Sequence, residues 1–359
     1  MKARIVVGAN YGDEGKGTAV ATYTKNSENV LNVLTNGGAQ RGHSIVTEDG
    51  SVSFHHFGSG TYHGADTYYS RYFILNPMQF VKEYNELLVK PKVFRDEACL
   101  WTTPYDSMAN LISEVQKKRH ASCCMGIWNT IKRSKDIGWV SFDDFMYSEA
   151  KLTYLKMVKE YYEKNMVIPT EWRDVWDSFY LAQHFLEDCK FMFEHTVVCE
   201  LGSLNYDNLI FENGQGLILC DTGYDTFDTT PSNTGILYAM EILNKLDNVE
   251  SITAHYVTRP YLTRHGDGNL IGETTRGFIS NGVAEDRTNH YNDGQGEFRY
   301  GILDIPDMQT RIFKDLHHAI GTKNFNWELD VTHCDEMDRL DEFKKYFFKI
   351  NTYDSPLIK

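Results

Sequence analysis

Gly12-Asp13-Glu14-Gly15-Lys16-Gly17-Thr18 is the stretch from which the rest of the chain is read. It follows the β-branched run Ile5-Val6-Val7 and opens into Thr18-Ala19-Val20-Ala21-Thr22-Tyr23, so strand, tight turn and helix start stand end to end. Gly12, Gly15 and Gly17 let the backbone turn its N–H groups onto an anion at a helix N-terminus, and Lys16 can reach the terminal phosphate of a nucleotide. The acid pair inside this phosphate cradle is unusual. A carboxylate beside a polyphosphate repels it unless it holds Mg2+ or takes part in the chemistry, which marks Asp13 as a working group.

A generic P-loop has glycine five residues before its Gly-Lys and Ser or Thr directly after; this chain has Asn10 and Gly17 in those places. The bulk properties set the frame around the cradle. At 359 residues, with 42% hydrophobic and 24% charged side chains, the chain is long enough to bury a full globular core. Thirty-six basic against fifty acidic residues give a net charge of −14, which disfavours nucleic acid and anionic membrane as partners. No signal peptide and no apolar run long enough to span a bilayer is read from the sequence. The seven cysteines have no metal-ligand spacing, and a reducing cytoplasm, that of a host if the source is viral, is the expected location.

A second apolar run, Val30 to Leu34, ends in the glycine-rich loop Thr35-Asn36-Gly37-Gly38-Ala39-Gln40-Arg41-Gly42-His43-Ser44. Strands that stop in such loops place them at the carboxyl edge of a mainly parallel sheet, where α/β proteins bind ligands. Asp106 to Lys118 carries Met108, Leu111, Ile112 and Val115 at helical spacing and reads as a core-facing helix. Two further amphipathic patterns lie between Glu149 and Phe193, one with Leu152, Leu155, Val158 and Tyr162, the other with Trp172, Val175, Trp176 and Phe179. They suggest a helical subregion over about 105–195 that caps the sheet or meets a second subunit. Asn208 to Gly216 reads as a strand entering a small-residue loop, and after Asp338 a short helix and a tail are expected.

These blocks, in this order, resemble the adenylosuccinate synthetase family. Its signature Gly-Asp-Glu-Gly-Lys-Gly is present at Gly12 to Gly17. Its Gly-Gly-x-Asn-Ala-Gly-His-Thr loop is matched at Gly37, Gly38, Gly42 and His43, with Gln40-Arg41 in place of Asn-Ala. Phe54 to Gly60 and Leu75 to Met78 resemble the next two blocks, both readable as turn formers. The family's Gly-Thr-Thr-Gly-Arg-Gly-Ile-Gly survives only as Ser122, Gly126 and Ile127, with Cys123 beside Ser122 and with Lys132, Arg133 and Lys135 as candidate cations nearby. Asn213-Gly214-Gln215-Gly216 and Thr229-Thr230-Pro231-Ser232-Asn233-Thr234 match Gly-Ala-Gln-Gly and Val-Thr-Ser-Ser-Asn-Thr. Tyr261 to Gly268 follows Tyr-x-Thr-Arg-x-Gly-x-Gly, and Val331 to Asp338 lies on Leu-Thr-Lys-Leu-Asp-Val-Leu-Asp.

The resemblance implies one domain over 1–359, an α/β fold with a large, mostly parallel central sheet surrounded by helices, and a homodimer whose site is completed across the interface. It implies a Mg2+-dependent carbon–nitrogen ligase of purine biosynthesis, coupling L-aspartate to C6 of a 6-oxopurine nucleotide through a 6-phosphoryl intermediate, with GTP or ATP as phosphate donor. Asp13, Lys16, His43 and Gln215 would be catalytic. Gly12, Glu14, Gly15, Gly17 and Thr18, with Asp335 and His333 at the base, would hold the triphosphate. Asn36, Gln40, Ser122, Cys123, Asn213 and Thr230 would hold the purine monophosphate, and Asp13 and the carbonyl of Gly42 the metal. The family's arginine-rich aspartate loop is replaced by Asn289 to Gly301, leaving Arg299 with Arg264 or Arg287 for the dicarboxylate.

A retained chemical core with altered substrate loops suggests a member with a changed substrate, the phage type that converts dGMP to N6-succino-2-amino-2'-deoxyadenylate on the route to 2-aminoadenine DNA. Two alternatives stand beside it: an ordinary adenylosuccinate synthetase using IMP and GTP, and a regulatory P-loop-like nucleotide-binding protein in which Asp13 only binds Mg2+.

Overall fold

The computed structural model describes residues 1–47, 50–117, 122–221, 229–279 and 296–354. Its frame is a nine-stranded sheet in the order Ile350–Thr352, Phe325–Val331, Ser251–Thr258, Lys2–Gly8, Asn208–Gly216, Val30–Leu34, Asp66–Tyr69, Val93–Arg95 and Val197–Val198. Every neighbouring pair is parallel. Strands covered on both faces carry near-continuous apolar runs, and all five residues of Val30–Leu34 are buried accordingly. The tail expected after Asp338 thus contains the edge strand Ile350–Thr352, a three-residue piece too short to show a period of its own.

Parallel order puts all the carboxyl ends on one edge, and the loops leaving Gly8, Leu34, Gly216, Thr258 and Val331 gather there. A smaller antiparallel sheet of Leu262–His265, Phe298–Gly301 and Glu273–Thr274 stands beside that edge. His43 does not sit in an open loop. It opens the strand His43–Thr47, which forms an antiparallel hairpin with Gly50–Phe54, while Gly37–Gly38 pairs with Phe73–Ile74.

Helices run from Pro104 to Glu194, close to the expected 105–195 subregion. Pro104–Lys117 buries Met108 and Ile112, but Val115 is 56% exposed, so the apolar face is narrower than the spacing suggests. Lys151–Asn165 buries Leu155, Val158 and Tyr162 and leaves Leu152 outside. The next pattern is not one helix: Thr170–Trp176 ends at Asp177, a new helix starts at Phe179, and only Trp176 of the four marker residues is fully buried. Asn76 caps the helix Pro77–Glu86 by accepting from Gln79 N–H at 3.1 Å, with proline at the first turn, a cap worth about 1 kcal/mol. His56 is buried beneath it, accepting from Asn76 N–H at 2.8 Å through Nε2 and meeting Tyr69 Oη through Nδ1. The Phe54 and Leu75 blocks are therefore packing elements.

Candidate active site

The strand Lys2–Gly8 runs into the cradle, and the helix Lys16–Lys25 leaves it from Gly15, whose φ of 92° is the left-handed geometry that glycine adopts without strain. Gly12, at φ 117°, has a second constraint: a Cβ there would lie 2.9 Å from Cα of Gln215. The cradle and the Gln215 loop are thereby pressed backbone to backbone. Asn10, where a generic P-loop has glycine, donates to Thr258 Oγ1 and accepts from Arg311, tying the turn to its neighbours.

Glu14 and Asp13 part company. The Glu14 carboxylate is buried and accepts from the N–H groups of Asn10 at 3.1 Å and Gly12 at 2.7 Å. Burial raises its pKa against the pull of Lys16, whose Nζ lies 3.4 Å away and also donates to the Gly12 carbonyl at 2.6 Å. Glu14 does not face outward as a phosphate contact, since its carboxylate holds cradle amides itself. Asp13 is half-buried, and its carboxylate accepts no hydrogen bond among the described residues. Its backbone is fixed instead, because Arg259 Nε donates to the Asp13 carbonyl at 2.7 Å. Thr18 Oγ1, in the first turn of the helix, is buried without a partner among the described residues.

His43 and the cradle meet at Gly17, where a Cβ would come within 3.3 Å of His43 and 2.8 Å of the Ser44 carbonyl. His43 Nδ1 lies 2.5 Å from Glu212 Oε1, and the same carboxylate accepts from the Ser59 backbone and hydroxyl at 2.9 and 2.5 Å. Arg41 Nη2 stands 3.1 Å from it, both side chains with no exposed surface. Burial alone would raise Glu212, but Arg41 foremost, with His43 and Ser59, holds its carboxyl down at about 2. Burial and then the Arg41 charge lower His43 to about 4 against the attraction of Glu212. The imidazole is therefore neutral near pH 7 and its carboxylate partner ionised.

Gln215 has φ 57°, and its Oε1 is buried with no partner among the described residues; both amide atoms of Gln40 are in the same condition. A Cβ on Gly37 would lie 2.5 Å from Gln40 Nε2 and 3.5 Å from Gln215 Oε1, so the two amides flank one space. Buried polar atoms without partners are rare in folded proteins and mark places where a polar ligand completes the bonding. Asn36 binds the Gly214 amide and Ser232 Oγ, and Asn213 donates to the carbonyls of Thr234 and Gly235 while its Oδ1 has no partner among the described residues. Thr230 stands two residues before Ser232 on the same loop, its N–H bonded to Leu219. Cys123 Sγ donates to the Gln40 carbonyl at 3.6 Å and Ser122 Oγ to Asn110, which brings that turn to the same place. Burial pushes the Cys123 thiol up to about 12.

The remaining predicted residues border this centre. Thr332 Oγ1 donates to the Glu14 carbonyl at 2.6 Å, so His333, buried beside it at φ 56°, and the exposed Asp335 extend from the cradle wall. Arg264 and Arg299 are direct cross-strand partners in the small sheet. The Arg264 guanidinium lies 5.0 Å from the Tyr11 ring centroid, and Arg299 is bonded to Glu273 and the Gly268 carbonyl. Like charges directly opposite are unfavourable unless anions share them. Arg287 and residues 118–121 and 289–295 lie outside the described residues. Arg133 is not a substrate cation: it is buried on Asp106 at 2.8 Å, and Lys132 is tied to Asp136 on the surface.

The sequence did not single out Glu212, Arg41 and Arg259, which the structure places beside His43 and Asp13. The available signal for Glu212 was a carboxylate placed inside the apolar strand Leu209-Ile210-Phe211, which needs a buried cation. His255, Glu328 and Asp330 also gather ligand atoms within 4.8 Å, but the Tyr23 hydroxyl bridges His255 and Asp330 at 2.8 and 2.5 Å. That cluster pins the first helix to the sheet.

Hard oxygen donors, the carboxylate of Asp13 and the carbonyl of the exposed residue Gly42, are the kind Mg2+ takes, and the Asp13 carboxylate, without a hydrogen bond among the described residues, suits it. No helix among the described residues is long and apolar enough to cross a membrane.

Comparison with known proteins gives a match over residues 5–350 to the family model described as adenylosuccinate synthetase. The adenylosuccinate synthetase of Borrelia duttonii is 24% identical over 99% of this chain and 82% of its own length. That of Geotalea uraniireducens is 24% identical over 74% of this chain, a match spanning 63% of the relative. Among solved structures, the fully ligated adenylosuccinate synthetase of Plasmodium falciparum superposes with a TM-score of 0.66 at 18% identity, covering 95% of this chain and 78% of that one. The succinoaminodeoxyadenylate synthetase of cyanophage S-2L, bound to dGMP and dATP as an energy donor, superposes with a TM-score of 0.63 at 12% identity, covering 98% and 91%.

Proposed function

We propose that this chain, which belongs to the adenylosuccinate synthetase family, couples L-aspartate to C6 of a 6-oxopurine nucleoside monophosphate at the expense of a nucleoside triphosphate. The observation that carries the reading is the convergence of the Asp13–Lys16 cradle, the His43–Glu212 pair and the partnerless amides of Gln215 and Gln40 on one sheet edge. A 6-oxo group is a poor leaving group, so it is first phosphorylated. Asp13 withdraws the N1 proton while the γ-phosphoryl passes to O6, a general-base step worth about 10²- to 10⁴-fold. Gln215, an amide that cannot ionise, steadies negative charge growing on O6, and its φ of 57° fixes the direction from which it does so. Lys16 leaves Glu14 for the phosphates, and His43 meets the transferring group from the hairpin side. Mg2+, held by Asp13 and the Gly42 carbonyl, would supply charge neutralisation on the phosphates. Arg264 and Arg299, side by side across two strands, hold the two carboxylates of aspartate, whose amine displaces phosphate.

The favoured nucleotide is dGMP. Gln40, Arg41, Ser122 and Cys123 differ from the family loops, and the cyanophage protein of similar fold is the one described with dGMP. GTP or ATP is the donor, and the working form is a homodimer in the cytoplasm. Phosphate release measured with Mg2+, aspartate and GTP or ATP, in parallel with IMP, GMP and dGMP, tests this. Turnover with dGMP is expected. Turnover with IMP alone identifies an adenylosuccinate synthetase of ordinary specificity, and hydrolysis that needs neither purine monophosphate nor aspartate removes the ligase reading.

A further inference from the structure

We propose that Arg259 is a positioning residue: acting through the Asp13 main chain, it holds the cradle so that the Asp13 carboxylate keeps one direction when nucleotide binds. The consequence for turnover rests on the ligase reading above; the geometry does not. Three consecutive carbonyls of the cradle each accept from a side chain: Gly12 from Lys16 at 2.6 Å, Asp13 from Arg259 Nε at 2.7 Å and Glu14 from Thr332 Oγ1 at 2.6 Å. Lys16 is the one that leaves for the phosphates in the proposed reaction, so Arg259 and Thr332 are left to fix the turn. Each is the first residue past a strand, and the two strands pair in parallel with Thr258 opposite Val331, so both side chains reach the cradle from the same edge. Arg259 is the one that touches Asp13. The half-buried Asp13 carboxylate has no hydrogen bond among the described residues, so its direction is set by its main chain. A peptide is a rigid plane, and its carbonyl cannot turn without carrying the neighbouring atoms along.

Arg259 is itself held in place. It is buried, with its guanidinium 5.8 Å from the Tyr261 ring centroid and 5.7 Å from that of Phe298, and Nη1 donates to Tyr261 Oη at 3.3 Å. The Tyr261 hydroxyl in turn donates to Glu336, next to Asp335. The segment from Thr332 to Glu336 therefore grips the cradle twice, directly at Glu14 and through Tyr261 and Arg259 at Asp13. A planar fork serves both directions at once, Nε to the cradle and Nη1 to Tyr261, where an ammonium is a single point. Without Arg259 the Asp13 carbonyl would lose this donor, and a reacting carboxylate displaced by about 1 Å costs on the order of 10²-fold in rate.

The test uses Arg259→Met, Arg259→Lys and Tyr261→Phe in the whole protein. Phosphate release gives kcat, and equilibrium titration with a fluorescent nucleoside triphosphate and Mg2+ gives nucleotide affinity. Arg259→Met is expected to lower kcat about 10²-fold with nucleotide affinity within about threefold of wild type. Arg259→Lys, which can still donate to the carbonyl, is expected to recover about tenfold of that loss, and Tyr261→Phe to lose only about threefold. Wild-type kcat in Arg259→Met overturns the proposal. So does a nucleotide affinity that falls as far as kcat, which would make Arg259 part of the general scaffold, or an Arg259→Lys protein no better than Arg259→Met. Should Arg259→Met not fold, Arg259→Lys and Tyr261→Phe carry the test: a reduced kcat at unchanged nucleotide affinity is expected, and wild-type kcat in both overturns it. If the wild type couples no purine nucleotide, the functional reading fails, and crystal structures of wild type and Arg259→Met decide the role of Arg259. A rotated Asp13 peptide in the variant is then the expected result, and an unmoved one overturns the proposal.

Discussion

Among the described residues, two arginine–carboxylate pairs have both side chains buried, and they are built differently. Among the helices, Arg133 places Nε and Nη2 on Asp106, Nη2 also on the Trp101 carbonyl, and Nη1 on Tyr154. Asp106 in turn accepts from Tyr162 and from the Thr103 backbone and hydroxyl. Beneath the cradle, Arg41 Nε and Nη2 make no hydrogen bond among the described residues, although Nη2 stands 3.1 Å from the Glu212 carboxylate, and Glu212 ends on a histidine beside the cradle. The first pair is closed on itself and its work is to hold helices together. The second is open at both ends, and an open buried network persists where a ligand or a reaction completes it.

The comparison can be broken by mutation. His43→Ala and Asp13→Ala are each expected to lower coupling by about 10³-fold or more with the melting temperature little changed, read by phosphate release and thermal unfolding. Wild-type turnover in either variant takes that residue out of the mechanism. Arg133→Met is expected to do the opposite. Leaving Asp106 unpaired costs about 3–5 kcal/mol of stability, measured by denaturant unfolding, while kcat per folded molecule stays at the wild-type value. A stable Arg133→Met protein with a depressed kcat would erase the distinction between closed and open pairs.

His56 sharpens the point, since it is a second buried neutral imidazole with no chemistry to do. Burial and then the Arg41 charge lower its pKa to about 3. In the unfolded chain it titrates near 6.5, so below that pH the unfolded state binds a proton that the folded state refuses. Stability is expected to fall as pH drops from about 6.5 toward 3, by up to about 1.4 kcal/mol per pH unit from this residue, and His56→Gln should flatten that slope. A slope unchanged in His56→Gln would assign the acid sensitivity elsewhere. Smallest is Tyr23→Phe, which removes the hydroxyl shared by His255 and Asp330; a loss of about 1 kcal/mol with normal turnover is expected. A large loss of turnover would make that cluster part of the active site.

Much of the site was legible because its residues stand next to one another in sequence where strands end. Gly12 to Thr18, Gly37 to His43 and Asn213 to Gly216 each announce a tight turn after an apolar run, and turn chemistry is local. The paired helices were legible only in part. Val115, Leu152 and Phe179 have the right spacing and are exposed, because periodicity states that a face exists and not how wide a partner covers it.

By itself the sequence determined the parallel α/β frame and the cradle with its acid pair. It also placed His43 and Gln215 at the same carboxyl edge of the sheet, from local propensity and block order, although the structure puts them in the strands His43–Thr47 and Asn208–Gly216 and not in open loops. Only the tertiary structure decided that Glu14 turns inward while Asp13 stays free, that Arg133 is structural, and that Arg41 and Glu212 stand behind His43. Those outcomes depend on contacts between residues as far apart as Arg41 and Glu212. Which charge is neutralised and which is left open is settled by burial and by the partners that folding brings within a few ångströms.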